Sequence, residues 1–154
     1  MASVDIIDEK ILEVLQQNAR ISISELSKKI NLSLSAVSER LKKLESNGII
    51  RQYTAILNPE DMGKNIAAII RISLNNRASS AEFLKLVNVE PDIISCIRTT
   101  GDYDYYMQAY CGGPVDLQRL LDTIKALRCV ERVHSDVHLD TVKACYSVPP
   151  AANK

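Results

Sequence analysis

Residues 21–50 read ISISELSKKINLSLSAVSERLKKLESNGII, and the spacing inside this stretch decides the fold of the first third of the chain. Ser22 and Glu25 stand in the S-x-x-E spacing of a capping box, where each side chain satisfies the other residue's backbone N–H. This predicts a helix over roughly residues 23–30, burying Leu26 and Ile30. Asn31-Leu32-Ser33 then breaks the pattern. Ser33 can cap a further helix from about 34 to 46, closed by Asn47-Gly48. Two helices joined by so short a turn make a helix-turn-helix. At about 100° per residue, Val37, Leu41 and Leu44 lie within about 60° of one another and face the core.

The opposite face is polar. Ser35, Ser38, Glu39, Lys42 and Lys43 point away from the core, and Arg40 lies on the flank. The serines sit in the N-terminal half, where a recognition helix presents side chains to base edges. The lysines sit further along, within reach of phosphate. A serine hydroxyl can donate or accept, so direct readout by these residues is loose. The candidate DNA-binding residues are therefore Ser33, Ser35, Ser38, Glu39, Arg40, Lys42 and Lys43. The alternative is an ordinary solvated helix face. The 19 basic and 19 acidic residues give a formal net charge of zero, but their distribution is uneven. Residues 1–23 carry −2, residues 24–54 carry +3 and the remainder carries −1.

Upstream, Asp5 stands three residues before Asp8 and just ahead of Ile7, Ile11, Val14 and Leu15. An N-cap, an acidic first turn and an apolar face of helical period predict a helix over about 6–17. Downstream, IIRQYTAILNP is β-branched and aromatic until Asn58-Pro59 stops it, and reads as a strand linking two domains. The bland alternative is an edge strand with no hinge role. The organisation is then a DNA-binding domain over 1–50, a strand linker over 51–64 and a second domain over 65–154.

In the second domain NIAAIIRISL is strand-like, and SSAEFLKLVN opens with Ser79 and Glu82 in another S-x-x-E box. DIISCIRTT and YYMQAYC are strands around the turn GDYD. Pro114 after two glycines starts a helix carrying Leu117, Leu120, Leu121, Ile124 and Leu127. VERVHSDVHLDTVKAC is the last strand. The order β-α-β-β-α-β is ferredoxin-like, so the fold class is α+β: a winged-type helix-turn-helix followed by a βαββαβ domain. One sheet face carries the helices. The other has Ile, Val, Met and Tyr to hide, and a second subunit is the natural cover.

Other chemistry is thinly represented. Cys96, Cys111, Cys129 and Cys145 are scattered without a C-x-x-C pair, and read as reduced, mostly buried side chains in a cytoplasmic protein. His134 and His138 share a strand face with Asp136 and Asp140, but they read as solvent-facing imidazoles rather than metal ligands. No nucleophile triad, phosphate loop or paired-carboxylate cleft stands out, and no cofactor is implied. No apolar run approaches the ~20 residues of a membrane span. The opening MASVDIIDEK is acidic early, unlike a secretory leader.

The helix-turn-helix stretch, a strand linker and a βαββαβ domain carrying TTGDYDYYM together resemble the Lrp/AsnC (feast/famine) transcriptional regulators, over nearly all of residues 4–145. The resemblance implies a dimer formed through the C-terminal sheets, often assembled into octamers, that binds double-stranded DNA and responds to an amino acid. It also implies an effector site at Thr100, Gly101, Asp102, Tyr103 and Asp104. Glycine lets backbone N–H groups approach a carboxylate, and aspartate can accept from an α-ammonium. Those residues also suit any tight turn, with Tyr103 only packing. A rival on the same two-domain plan is a sirohaem decarboxylase-like enzyme, for which a degenerate recognition helix and a pocket rich in His and Arg are expected. A second rival is a metabolite sensor acting on another protein. The retained lysines and well-formed caps favour DNA over both.

Overall fold

The computed structural model of the chain describes residues 4–75 and 80–150. Two compact units emerge, one holding the chain up to Ala55 together with residues from Lys143 onward, the other spanning Ile56–Val142.

The first unit contains three helices, α1 (Ile6–Gln17), α2 (Ile23–Ile30) and α3 (Leu34–Ser46). Each begins where its cap dictates. Asp5 Oδ1 accepts from the N–H groups of Ile7 and Asp8 at 2.9 and 2.8 Å, and Asp8 reaches back to the Asp5 N–H. Ser22 Oγ accepts from Glu25 N–H while Glu25 accepts from Ser22 N–H, both at 3.1 Å. Ser33 Oγ accepts from Ala36 N–H at 3.2 Å. The turn between α2 and α3 needs a left-handed residue, which Asn31 supplies with φ 60°. Gly48 does the same after α3 with φ +70°, letting Ile49 and Ile50 N–H both reach the Leu44 carbonyl. Ile11, Leu26, Val37 and Leu44 are buried where the helices meet, each contributing roughly 1.5–3 kcal/mol through removal from water.

The second unit is one antiparallel sheet in the order β2-β3-β1-β4, built from β1 (Ile66–Leu74), β2 (Ile93–Arg98), β3 (Tyr105–Cys111) and β4 (Val130–Val137). Helices α4 (Ala81–Val89) and α5 (Pro114–Lys125) complete it. Alternation in β1 and β3 turns Ile70, Ile72, Met107 and Ala109 into a core shared with Phe83 of α4 and Ile124 of α5. This is the ferredoxin-like arrangement.

The structure departs from the sequence reading at three places. The strand expected through IIRQYTAILNP has no ladder partner over residues 51–58, and Tyr53, Ile56 and Leu57 stay exposed. β-propensity alone makes no strand without a neighbour to pair with. The last strand ends at Val137 rather than near residue 145. His138 N–H still reaches the Ala67 carbonyl, but β1 begins at Ile66, so the ladder runs out there. Met107 faces the helices and not the open side. The proposed cap residue Ser79 lies outside the described residues, and the side chain of Ser80, which directly precedes α4, makes no cap hydrogen bond among the described residues. Among the described residues no helix is long and apolar enough to cross a membrane. The four cysteines are free, with Cys111 and Cys129 buried, Cys96 intermediate and Cys145 exposed.

Candidate nucleic-acid interface and effector turn

On α3, Ser35, Glu39, Lys42 and Lys43 are exposed and Ser38 is half-buried. Ser33 is occupied as the helix cap, and its hydroxyl also meets Ser35 Oγ at 3.1 Å. Glu39 and Lys43 pair one turn apart at 3.0 Å, which holds the Glu39 carboxyl below its usual range. Lys42 has no ion-pair partner among the described residues.

Arg40 is employed differently from its neighbours. Its Nη1 donates to Asp5 Oδ2 at 2.6 Å and to Asp8 Oδ1 at 2.8 Å. The hydrogen bond that Arg40 donates to Asp8, then that to Asp5, raises the guanidinium's pKa, while the Asp8 backbone N–H and Arg40 lower that of Asp5. A residue read from the sequence as lying within reach of a DNA backbone thus clamps α3 to the N-terminus of α1. The free positive charge on the outer face of α3 reduces to Lys42.

In the second unit, the turn after β2 divides into a tip and an anchor. Thr100, Gly101 and Asp102 are exposed. Asp104 is 7% exposed, and its Oδ2 accepts from the Leu74 N–H at 2.9 Å while its own N–H donates to the Ile72 carbonyl at 2.8 Å. Thr99 N–H donates to the Asp104 carbonyl and Thr99 Oγ1 donates to that of Tyr103. Asp104 therefore ties the turn to β1, at the end of that strand's ladder with β3. Gly101 has no left-handed φ, and a Cβ added there meets nothing within 4 Å. The conformation of the turn itself does not require glycine there.

Tyr103 does more than pack. Its ring lies 5.3 Å from the Arg71 guanidinium and 5.5 Å from that of Arg132, with Tyr106 edge-on at 6.3 Å and His134 at 6.5 Å. These groups stand on the sheet face away from the helices, where β1 pairs Arg71 with His134 and Ser73 with Arg132. Arg71 also donates to Asp136 at 2.6 Å, and its Nε is buried without a hydrogen-bond partner among the described residues. The open face is thus apolar around Ile69, Ile97 and Tyr106 and charged around Tyr103. Reading along the sequence did not bring Arg71 and Arg132 to the turn, because only the β1–β4 register does so. His138 falls beyond the end of β4, apart from His134 on the strand. No metal-holding cluster of three His, Cys, Asp or Glu occurs among the described residues.

Comparison with known proteins agrees with both halves. Residues 4–51 match a winged helix-turn-helix DNA-binding family, and residues 67–148 match the Lrp/AsnC ligand binding domain. The HTH-type transcriptional regulator FL11 of Pyrococcus furiosus is 35% identical over 146 residues, covering 95% of this chain and 96% of that protein. A transcriptional regulator from Neisseria meningitidis, solved as an L-Met complex, is 36% identical with a TM-score of 0.90, covering 96% of this chain and 97% of its own. A feast or famine regulatory protein from M. tuberculosis, complexed with L-methionine, is 27% identical with a TM-score of 0.88 over 96% of this chain and all of its own (100%).

Proposed function

The chain belongs to the Lrp/AsnC family of transcriptional regulators, and from that premise we propose that it is a cytoplasmic regulator, without an enzymatic step, whose DNA affinity is set by a bound amino acid. The α3 helix enters the major groove, with Ser35 and Ser38 toward base edges and Lys42 toward phosphate. Phosphate contacts supply most of the affinity, so binding is steeply salt-dependent. The tip Thr100-Gly101-Asp102 receives the amino acid, with Tyr103 beside it and Asp104 holding the turn in place. The ligand acts by binding one assembly state more tightly than another. L-Methionine is the first candidate, because two structurally similar proteins were solved with it. The assembly is a dimer at least, with a second copy covering the open sheet face.

The observation that carries the effector half is Gly101. A glycine without a left-handed φ and with empty space at its Cβ position has no role in folding the turn, and that space suits a ligand's approach. The test is titration of DNA binding and sedimentation with each of the twenty amino acids, for the parent protein and for Gly101→Val. The parent responds to at least one amino acid, L-methionine first. Gly101→Val keeps its melting temperature and basal DNA affinity but loses the response. A parent protein indifferent to all twenty refutes the effector reading. A Soret shift on mixing with haem or sirohaem would instead favour the tetrapyrrole enzyme.

A further inference from the structure

Leu34 stands three residues before Val37, in register with the stripe that fills the core of the first unit. Yet it is 54% exposed while Val37 is fully buried (0%), and it takes no part in that core. It is the first residue of α3, immediately after the cap Ser33. The neighbouring polar groups are largely committed elsewhere: Ser33 to the cap, Arg40 to Asp5 and Asp8, Glu39 to Lys43. What α3 offers at its leading end is Leu34, Ser35 and the half-buried Ser38.

In the major groove one base group is apolar, the C5-methyl of thymine. We propose that Leu34 is a specificity-determining residue of DNA recognition, packing its isobutyl group against thymine methyls. The inference rests on α3 being the recognition helix. Serine hydroxyls discriminate weakly between bases, so an apolar contact beside them supplies the preference they lack. Ile23 is also exposed, at 43%, but it starts α2. In a helix-turn-helix that first helix crosses the phosphate backbone, where no methyl is offered.

The experiment uses the full chain and a duplex selected by it from random sequences. Each thymine of that duplex is then replaced singly by deoxyuridine, which removes the methyl and leaves the pairing edge unchanged. For the parent protein, one or two positions per half-site lose affinity about fourfold on replacement, the value of burying one methyl. Leu34→Ala binds the thymine duplex correspondingly less well and is indifferent to deoxyuridine at those positions, whereas Leu34→Met retains the discrimination. A parent indifferent at every thymine, a selected duplex without thymine, or a Leu34→Ala that keeps the same penalties overturns the proposal. Selection that recovers no duplex at all refutes DNA binding itself, and is distinguishable from the other outcomes on that ground.

Discussion

Asp104 and Gly101 stand three residues apart in one turn and do opposite things. Asp104 is buried and satisfies the Leu74 N–H. Removing its carboxylate in Asp104→Ala strands a buried donor, which costs roughly 1–3 kcal/mol, so thermal unfolding shifts down by several degrees. Any loss of ligand response in that variant follows from a loosened turn. Gly101→Ala places a methyl in open space and leaves the melting temperature unchanged, so it reports on the ligand alone. The same contrast divides Arg40 from Lys42. Lys42→Ala shrinks the slope of log affinity against log salt by about one for each subunit engaged, with little change in stability. Arg40→Ala loses two ion pairs to Asp5 and Asp8, costing about 1 kcal/mol because both lie near the surface, and leaves the salt slope nearly as it was. Gel shifts over a salt series, beside calorimetric melting, separate the two.

At the scale of elements, α1 depends on carboxylates at its first turn. The Asp8 N–H and the Arg40 side chain hold the Asp5 carboxyl below the ordinary 3.8, and the Ser22 hydroxyl and N–H hold Glu25 below 4.5. A depressed carboxyl stabilises the folded state above its ordinary value, and the contribution disappears as pH falls through the folded value. The contributions of Asp5 and Glu25 to the first unit are therefore fully present at neutral pH and disappear progressively below about pH 4, while the serine hydroxyl caps stay. Asp5→Asn preserves a capping oxygen but removes the charge, so the acid limb of its stability curve is shallower than the parent's in circular dichroism melts. In the second unit α4 is anchored by Phe83, fully buried against Tyr105 with ring centroids 4.9 Å apart. Phe83→Ala opens a cavity worth about 3–5 kcal/mol, enough to unfold this unit ahead of the first in a thermal scan.

For the whole molecule, the sheet face away from the helices exposes Ile97 and Tyr106 beside the Tyr103 cluster. A face of this kind is stable when covered, and in the dimer proposed above a second copy of the chain would cover it under two-fold symmetry. Light scattering at micromolar concentration then finds a dimer or larger as the smallest folded species, and a folded monomer refutes the assignment. Charge substitution at Ile97, such as Ile97→Glu, is expected to weaken the proposed dimer without touching either the caps of α1–α3 or the Gly101–Asp104 turn.

The sequence by itself determined the three helices of the first unit and their ends. The Asp5–Asp8 and Ser22–Glu25 boxes and the Ser33 cap are bonds between residues three apart, and their partners are set by local spacing alone. The alternation in β1 and β3 was legible for the same reason, since a period of two is local. The length of β4 and the lack of a partner for residues 51–58 depended on which backbone lies alongside, and no local pattern records that. Only the tertiary structure assigned the charged residues their work. Arg40 could meet a phosphate or an aspartate, and the packing of α1 on α3 gave it Asp5, thirty-five residues away. Asp104 suits any tight turn, and the β1–β3 register set one of its carboxylate oxygens against the Leu74 N–H. Arg71 and Arg132 both came within cation–π distance of Tyr103 through the pairing of β1 with β4. A charged or turn-forming side chain accepts many partners in isolation, and it is the assembled fold that selects one.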